Sequence, residues 1–365
     1  MNYKLGELFC GPGGIAVGAR DASIIHNGEK HSITHEWAND YDKDTCETYA
    51  RNICPENVES VFCEDVRNLD IKSLKPIDCF AFGFPCNDFS IVGEQKGFDG
   101  TFGPLYTYGI KVLNHFQPKF FIAENVGGLA SANSGSAFKK ILDDLRNAGN
   151  GYILTPHLYK SEDYNVPQSR HRIIIVGIDR TLNKRFKVPM QTSLNNPISA
   201  KEAIENPPIS KKAFNNEIII PSSTVVERLK LIKPGENVWN ANLPKHLQLN
   251  VKSAKMSQIY KRLHPDKPSY TITGSGGGGT HGYHWSENRA LTNRERARIQ
   301  TFPDKHIFYG SKESVRKQIG MAVPAKLAEI IFNSILKTML DIPYPFIEEK
   351  YKQVNELFEN ELIKI

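Results

Sequence analysis

The sequence has no long apolar run: stretches such as Cys79 to Cys86 and Ile173 to Ile178 fall well short of the roughly 18 residues that span a bilayer. Nor does it open on an apolar leader with a small-residue cleavage site, since Lys4 and Glu7 come early. A cytoplasmic protein without membrane attachment is expected. Its six cysteines (10, 46, 54, 63, 79 and 86) all lie in the first quarter, with no CxxC pair and no histidine at zinc-ligand spacing beside them. That argues against a disulfide scaffold and a zinc site. His281 and His284 form a lone HxxH, too few ligands for a metal, so none is expected. No repeat of 20–50 residues recurs.

What the chain has is ordinary globular composition, with 40% hydrophobic and 24% charged residues. Its 365 residues favour two domains. The net charge of +6 permits a polyanionic partner without requiring one.

The first 180 residues repeat one theme, a short β-rich run followed by a turn and a helix-like stretch. Strands are predicted at 4–9, 32–38, 58–63, 77–83, 119–123, 152–159 and 172–177, and helices at 15–22, 42–52, 105–116 and 136–148. Alternating βα units predict an α/β fold with a mostly parallel sheet covered on both faces. From Thr181 the rhythm breaks, with prolines at 189, 197, 207, 208, 221 and 234. Between Thr181 and Arg262 stand 14 Lys and Arg against 5 Asp and Glu, a local excess of +9. A solvated lysine-rich surface is the plain reading, and a nucleic-acid-facing module the sharper one. A glycine run, Gly274 with Gly276–Gly279, reads as a loop that something approaches closely. The spacing Leu327, Ile331, Ile335, Met339 predicts a helix returning to the first domain's core, and 345–365 an amphipathic helix.

Four motifs carry chemistry. The first strand runs into Phe9-Cys10-Gly11-Pro12-Gly13-Gly14, where glycines let the backbone turn toward a ligand at a helix N-terminus. Asp40 after the second strand is placed for a ribose diol, and Asp65 follows the third strand equivalently; together these leave NAD and other adenosyl cofactors both open. Gly83-Phe84-Pro85-Cys86-Asn87 brings a cysteine to the carboxyl edge of the sheet, the address of a nucleophile. Ala123-Glu124-Asn125-Val126 puts a carboxylate on that edge. Gln168-Ser169-Arg170-His171-Arg172 leads into the last strand, where alternation predicts that Arg170 and Arg172 project to one side.

These blocks, with Tyr270-Thr271-Ile272-Thr273 before the glycine run, Gln318-Ile319-Gly320 and Ala322-Val323-Pro324, resemble those of bacterial C5-cytosine DNA methyltransferases of type II restriction-modification systems. The resemblance spans residues 9 to 324 in the family's order. It implies an S-adenosylmethionine-dependent methyltransferase fold, Rossmann-like, with a smaller irregular target-recognition domain. The expected division is 1–182 catalytic, 183–311 recognition and hinge, and 312–365 returning to the catalytic domain. It implies S-adenosylmethionine held by Phe9, Gly11, Gly13, Gly14, Asp40, Tyr41, Asp65, Val66, Pro85, Leu105 and Ala322. It implies attack by Cys86 on C6 of a flipped cytosine, Glu124 at N3, Arg172 at O2 with Arg170 in support, and Ser90, Asn87 and Thr271 toward DNA. Asn87 replaces the family's usual Gln and Met321 its usual Asn. The implied partners are double-stranded DNA and a cognate restriction endonuclease, with a monomer expected. Competing readings are a tRNA cytosine-5 methyltransferase, an NAD-dependent oxidoreductase, and a silent DNA-binding regulator.

Overall fold

The computed structural model describes residues 1–84, 105–250, 256–274 and 281–352. In chain order the elements begin β1 (Asn2–Leu8), α1 (Gly14–Asp21), β2 (Ser23–His26), β3 (Glu29–Asp40), α2 (Lys43–Ile53), β4 (Val61–Cys63) and β5 (Cys79–Gly83). They continue with α3 (Tyr106–Phe116), β6 (Phe120–Val126), α4 (Ser136–Asn147), β7 (Tyr152–Lys160), β8 (Gln168–Ser169), β9 (His171–Asp179) and β10 (Val188–Pro189). The remainder is α5 (Ala200–Glu205), α6 (Ser223–Leu231), β11 (Ser269–Tyr270), α7 (Asn293–Ile299), α8 (Lys312–Met321), α9 (Ala325–Met339) and β12 (Phe346–Ile347).

The chain divides into two compact units: residues 1–160, 171–191 and 327–365, and residues 161–170 and 192–326. The boundaries therefore fall away from 182/183 and 311/312. Residues 183–191 stay with the first unit because β10 pairs with β12, while 312–326 pack in the second, where Ala325 and Lys326 amides donate to Gln300 and Thr301.

The first unit is an eight-stranded sheet in the order β2-β3-β1-β5-β6-β9-β7, with β4 beside β3. The pairs β3–β1, β1–β5, β5–β6 and β3–β4 are parallel, and β2–β3, β6–β9 and β9–β7 antiparallel. Near-continuous apolar strands such as Phe120–Ala123 follow from burial on both faces. Its main core gathers Trp37, Phe80, Phe82, Phe121, Val112, Leu142 and Ile175, and a smaller cluster joins Cys10, Ala16, Ala38, Tyr49 and Cys54.

Several expectations change. Residues 58–60 form a 3-10 turn before β4, because Ser60 and Asn57 bond locally. The end of the described chain begins as β12 rather than a helix, since Met190 N–H donates to Pro345 O; residues 353–365 lie outside the described residues. Residues 312–339 are long and apolar enough for a membrane span, but Pro324 separates α8 from α9 and 72% of the most apolar stretch is buried, as in core helices.

The second unit is irregular. The parallel pair β8–β11 and two apolar clusters, one around Leu229, Tyr260 and Tyr283 and one around Leu263, Ile272 and Ile299, are joined by buried side-chain hydrogen bonds. Its helix α7 opens on a capping box between Thr292 and Glu295.

Candidate active site

Strand register builds one edge of the first unit's sheet. Leu8 pairs with Asn39 and with Phe82, Gly83 pairs with Glu124, and Val126 pairs with Arg172. The strand ends that precede Phe9, follow Asn39, and carry Gly83, Glu124 and Arg172 therefore share the carboxyl edge, where open α/β sheets bind ligands.

The glycine turn is held from both sides. Phe9, Gly11 and Gly13 have φ of 55°, 56° and 91°; a β-carbon on Gly13 would lie 3.1 Å from Ile53 and 3.3 Å from Tyr49. Asp40, 8% exposed, accepts from Gly11 N–H (3.0 Å) and Asp42 N–H (3.2 Å). Burial pushes its carboxyl upward, and those amide donors pull it back. Beside it Tyr41 is exposed, while Val66 and Leu105 are buried. Asp65 is clasped by Arg67 (2.6 and 2.9 Å), which lowers its carboxyl below the usual range. An acid-pinned turn and an exposed aromatic ring fit an adenosyl group.

At the neighbouring strand ends, Arg172 Nε lies 2.9 Å from Glu124 Oε1, each side chain 13% exposed. Arg172 sits diagonally across β6–β9 from Glu124, so the two share a face. Gly83 packs closely here, since a β-carbon on it would lie 3.0 Å from Glu124 Oε2. Cys86 lies outside the described residues, as do Pro85, Asn87 and Ser90.

Arg170 departs from the alternation argument. Ser169 ends β8 and His171 begins β9; between them Arg170 N–H donates back to Gln168 O, so the strand is broken. Its buried guanidinium instead bridges Ile272 O (3.2 Å) and Gly320 O (3.0 Å) in the second unit. Thr271 there donates to Ser169 O (2.7 Å), and Ala322 O accepts from Gln300 (3.3 Å).

The sequence reading missed several supporting residues. Asn125 Nδ2 donates to Phe84 O (3.1 Å), fixing the chain just before Pro85; its place in the Glu124-Asn125 block was the available signal. Gln168 bonds Ile272 N–H and Gln300, locking the strand pair of the second unit. Glu7, 1% exposed, accepts from Tyr49 Oη at 2.5 Å beneath the glycine turn; an acid inside an apolar strand was its signal.

Fold and site together define an α/β protein with a nucleotide-type glycine turn and an acid–guanidinium pair on the carboxyl edge of its sheet. A family model described as C-5 cytosine-specific DNA methylase matches residues 3–337. The chain is 58% identical to the type II methyltransferase M.BbvI of Brevibacillus brevis, over 96% of this chain and 95% of that protein. It is 37% identical to the type II methyltransferase M.NgoFVII of Neisseria gonorrhoeae, over 99% and 94%. Among solved structures, a prophage-encoded E. coli protein described as a DNA modification methyltransferase superimposes with a TM-score of 0.71 at 22% identity, covering 93% of this chain and 99% of that one. The chain belongs to the C-5 cytosine-specific DNA methylase family. Its enzyme class is DNA (cytosine-5-)-methyltransferase.

Proposed function

We propose that this protein methylates C5 of one cytosine within a specific duplex DNA sequence, inside the cell, as the modification partner of a restriction endonuclease. The Glu124–Arg172 pair beside the glycine turn carries the reading, because C5 of cytosine is a poor nucleophile until the ring is activated at C6, N3 and O2. Cys86, as thiolate, forms a bond to C6. The electrons of the 5,6 double bond move into the ring as Glu124 delivers a proton to N3 and Arg172 holds O2. S-adenosylmethionine, when bound, supplies an electrophilic methyl group. With the methyl group on C5, loss of the C5 proton to a base expels the Cys86 sulfur and restores the 5,6 double bond, while N3 returns its proton to Glu124.

Phe9, Gly11, Gly13, Gly14, Asp40, Tyr41, Asp65, Val66 and Leu105 would hold the cofactor, with Pro85 from outside the described residues. Arg170 acts as a positioning residue, and Ser90, Asn87 and Thr271 serve the DNA backbone and the flipped base's gap. The target cytosine must leave the stack, at about a few kcal/mol, so a large DNA contact is needed. The second unit, holding 11 of the 14 Lys and Arg of the basic stretch Thr181–Arg262, supports a recognition role, and one such unit per duplex suits a monomer. The NAD reading leaves Glu124 and Arg172 without a joint purpose.

Methyl transfer from labelled cofactor to duplex DNA, set beside tRNA, tests the substrate. Duplex DNA is the expected acceptor, and transfer to tRNA alone overturns the proposal. Glu124→Gln is expected to lower kcat about 100-fold or more while cofactor binding persists; full activity would remove Glu124 from the chemistry.

A further inference from the structure

The second unit is held by buried arginines whose guanidinium groups are answered. Arg262 donates to the carbonyls of Leu229 (2.7 Å), His284 (2.6 Å) and Glu287 (2.8 Å). Arg289 forks onto Glu295 (2.7 and 2.8 Å), and Arg294 reaches His306 O (2.7 Å) and Phe214 O (3.0 Å). Arg298 pairs with Asp304 (2.6 Å).

Arg296, on the same helix α7, differs. It is 3% exposed, and its one hydrogen bond is Nε to Leu291 O at 3.3 Å. Among the described residues neither terminal nitrogen has a hydrogen-bond partner or a carboxylate at ion-pair distance. Its surroundings add positive charge. Arg316, 8% exposed, faces His281 Nδ1 (3.1 Å), and the Lys261 ammonium lies 4.7 Å from the centre of the Tyr270 ring. Burial, then Arg316 and Arg296, push His281 down to about 4, so it stands neutral. The nearby carboxylates are engaged: Glu295 with Arg289 and the Thr292 amide, and exposed Glu313 with Arg316 (3.3 Å). Gly282, at φ 73°, lets the main chain pass close to the guanidinium, since a β-carbon there would lie 3.9 Å from Arg296 Nη1 and 3.2 Å from Tyr270 Oη.

A buried guanidinium whose terminal nitrogens lack acceptors is costly to keep charged, and a ligand of opposite charge removes that cost. A guanidinium fork matches two phosphate oxygens, and the second cation favours an anion over a neutral base edge. We infer that Arg296, with Arg316 beside it, receives a backbone phosphate of the duplex, a contact that positions DNA without reading its sequence. This rests on the duplex-methylating function proposed above.

The test uses the full chain with cofactor and labelled duplexes with and without the methylated site. Binding is followed across about 50–200 mM salt, where phosphate contacts dominate the dependence. Arg296→Met is expected to weaken both duplexes roughly 3- to 10-fold and to reduce the slope of log affinity on log salt by about one, with Arg296→Lys recovering part of the slope. Its Tm should hold or rise, since an uncompensated buried charge has gone. Unchanged affinity and slope overturn the inference. So does loss confined to the site-bearing duplex, which means a base contact, or a fall in Tm, which means a structural arginine. Wild-type protein that binds tRNA but no duplex overturns the methyltransferase reading on DNA itself, and this inference with it.

Discussion

Glu7 carries the clearest consequence at the scale of single residues. Its Oε1 is buried without a partner while Tyr49 donates to Oε2, and burial pushes the carboxyl up to about 8, the Tyr49 hydrogen bond opposing. The folded value lies above the ordinary value of about 4.5, so the neutral acid is the form the fold prefers. Its stabilisation is complete below about pH 4.5 and declines as pH rises through about 8. Urea unfolding at pH 5 and pH 8 should show wild type losing on the order of 3 kcal/mol more than Glu7→Gln over that interval. Parallel profiles would contradict this. His35, joined to Tyr49 Oη at 3.1 Å and pushed down to about 4 by burial, is present in both proteins of the comparison. Glu124 and Arg172 were legible in the sequence because each is a charge beside an apolar run, Phe120–Ala123 and Ile173–Val176. Arg170 was misread because alternation assumes an unbroken strand, and Arg296 was invisible because the want of acceptors at its terminal nitrogens, among the described residues, exists only in three dimensions.

Elements were most legible where burial on two faces wrote long apolar runs. β5, β6, β7 and β9 fall within a few residues of their expected ranges, and α2 starts at the Asp42 cap, which accepts from Thr45 N–H at 3.0 Å. β2 escaped, since Ser23-Ile24-Ile25-His26 is short and half exposed, as did β8, β10 and β12, two residues each. The second unit's helices were obscured because buried arginines, read in sequence as polar, form part of its interior. Close backbone packing fixes α8 there: a β-carbon on Gly320 would lie 2.0 Å from Gly274 N and 2.2 Å from Thr273 C, main-chain atoms that cannot yield. Gly320→Ala is expected to cost about 3 kcal/mol of stability, measured by denaturant unfolding. A loss under about 0.5 kcal/mol would mean that α8 shifts freely.

At the scale of the whole molecule, the glycine turn and the Glu124–Arg172 pair belong to one unit, and the buried-arginine interior to the other. The division of labour proposed here, chemistry in the first and DNA recognition in the second, follows that partition. Charge composition marks the basic stretch, whereas the unit boundaries depend on β10 pairing with β12 and on residues 161–170 joining a strand pair far along the chain. The most direct test maps 5-methylcytosine at base resolution in a methylation-free host that expresses this chain, beside the same chain carrying Cys86→Ser. Methylation at one cytosine of one short motif, absent from the Cys86→Ser culture, is the predicted result. Methylation that persists in Cys86→Ser, or none from soluble wild-type protein that binds S-adenosylmethionine, would contradict the account.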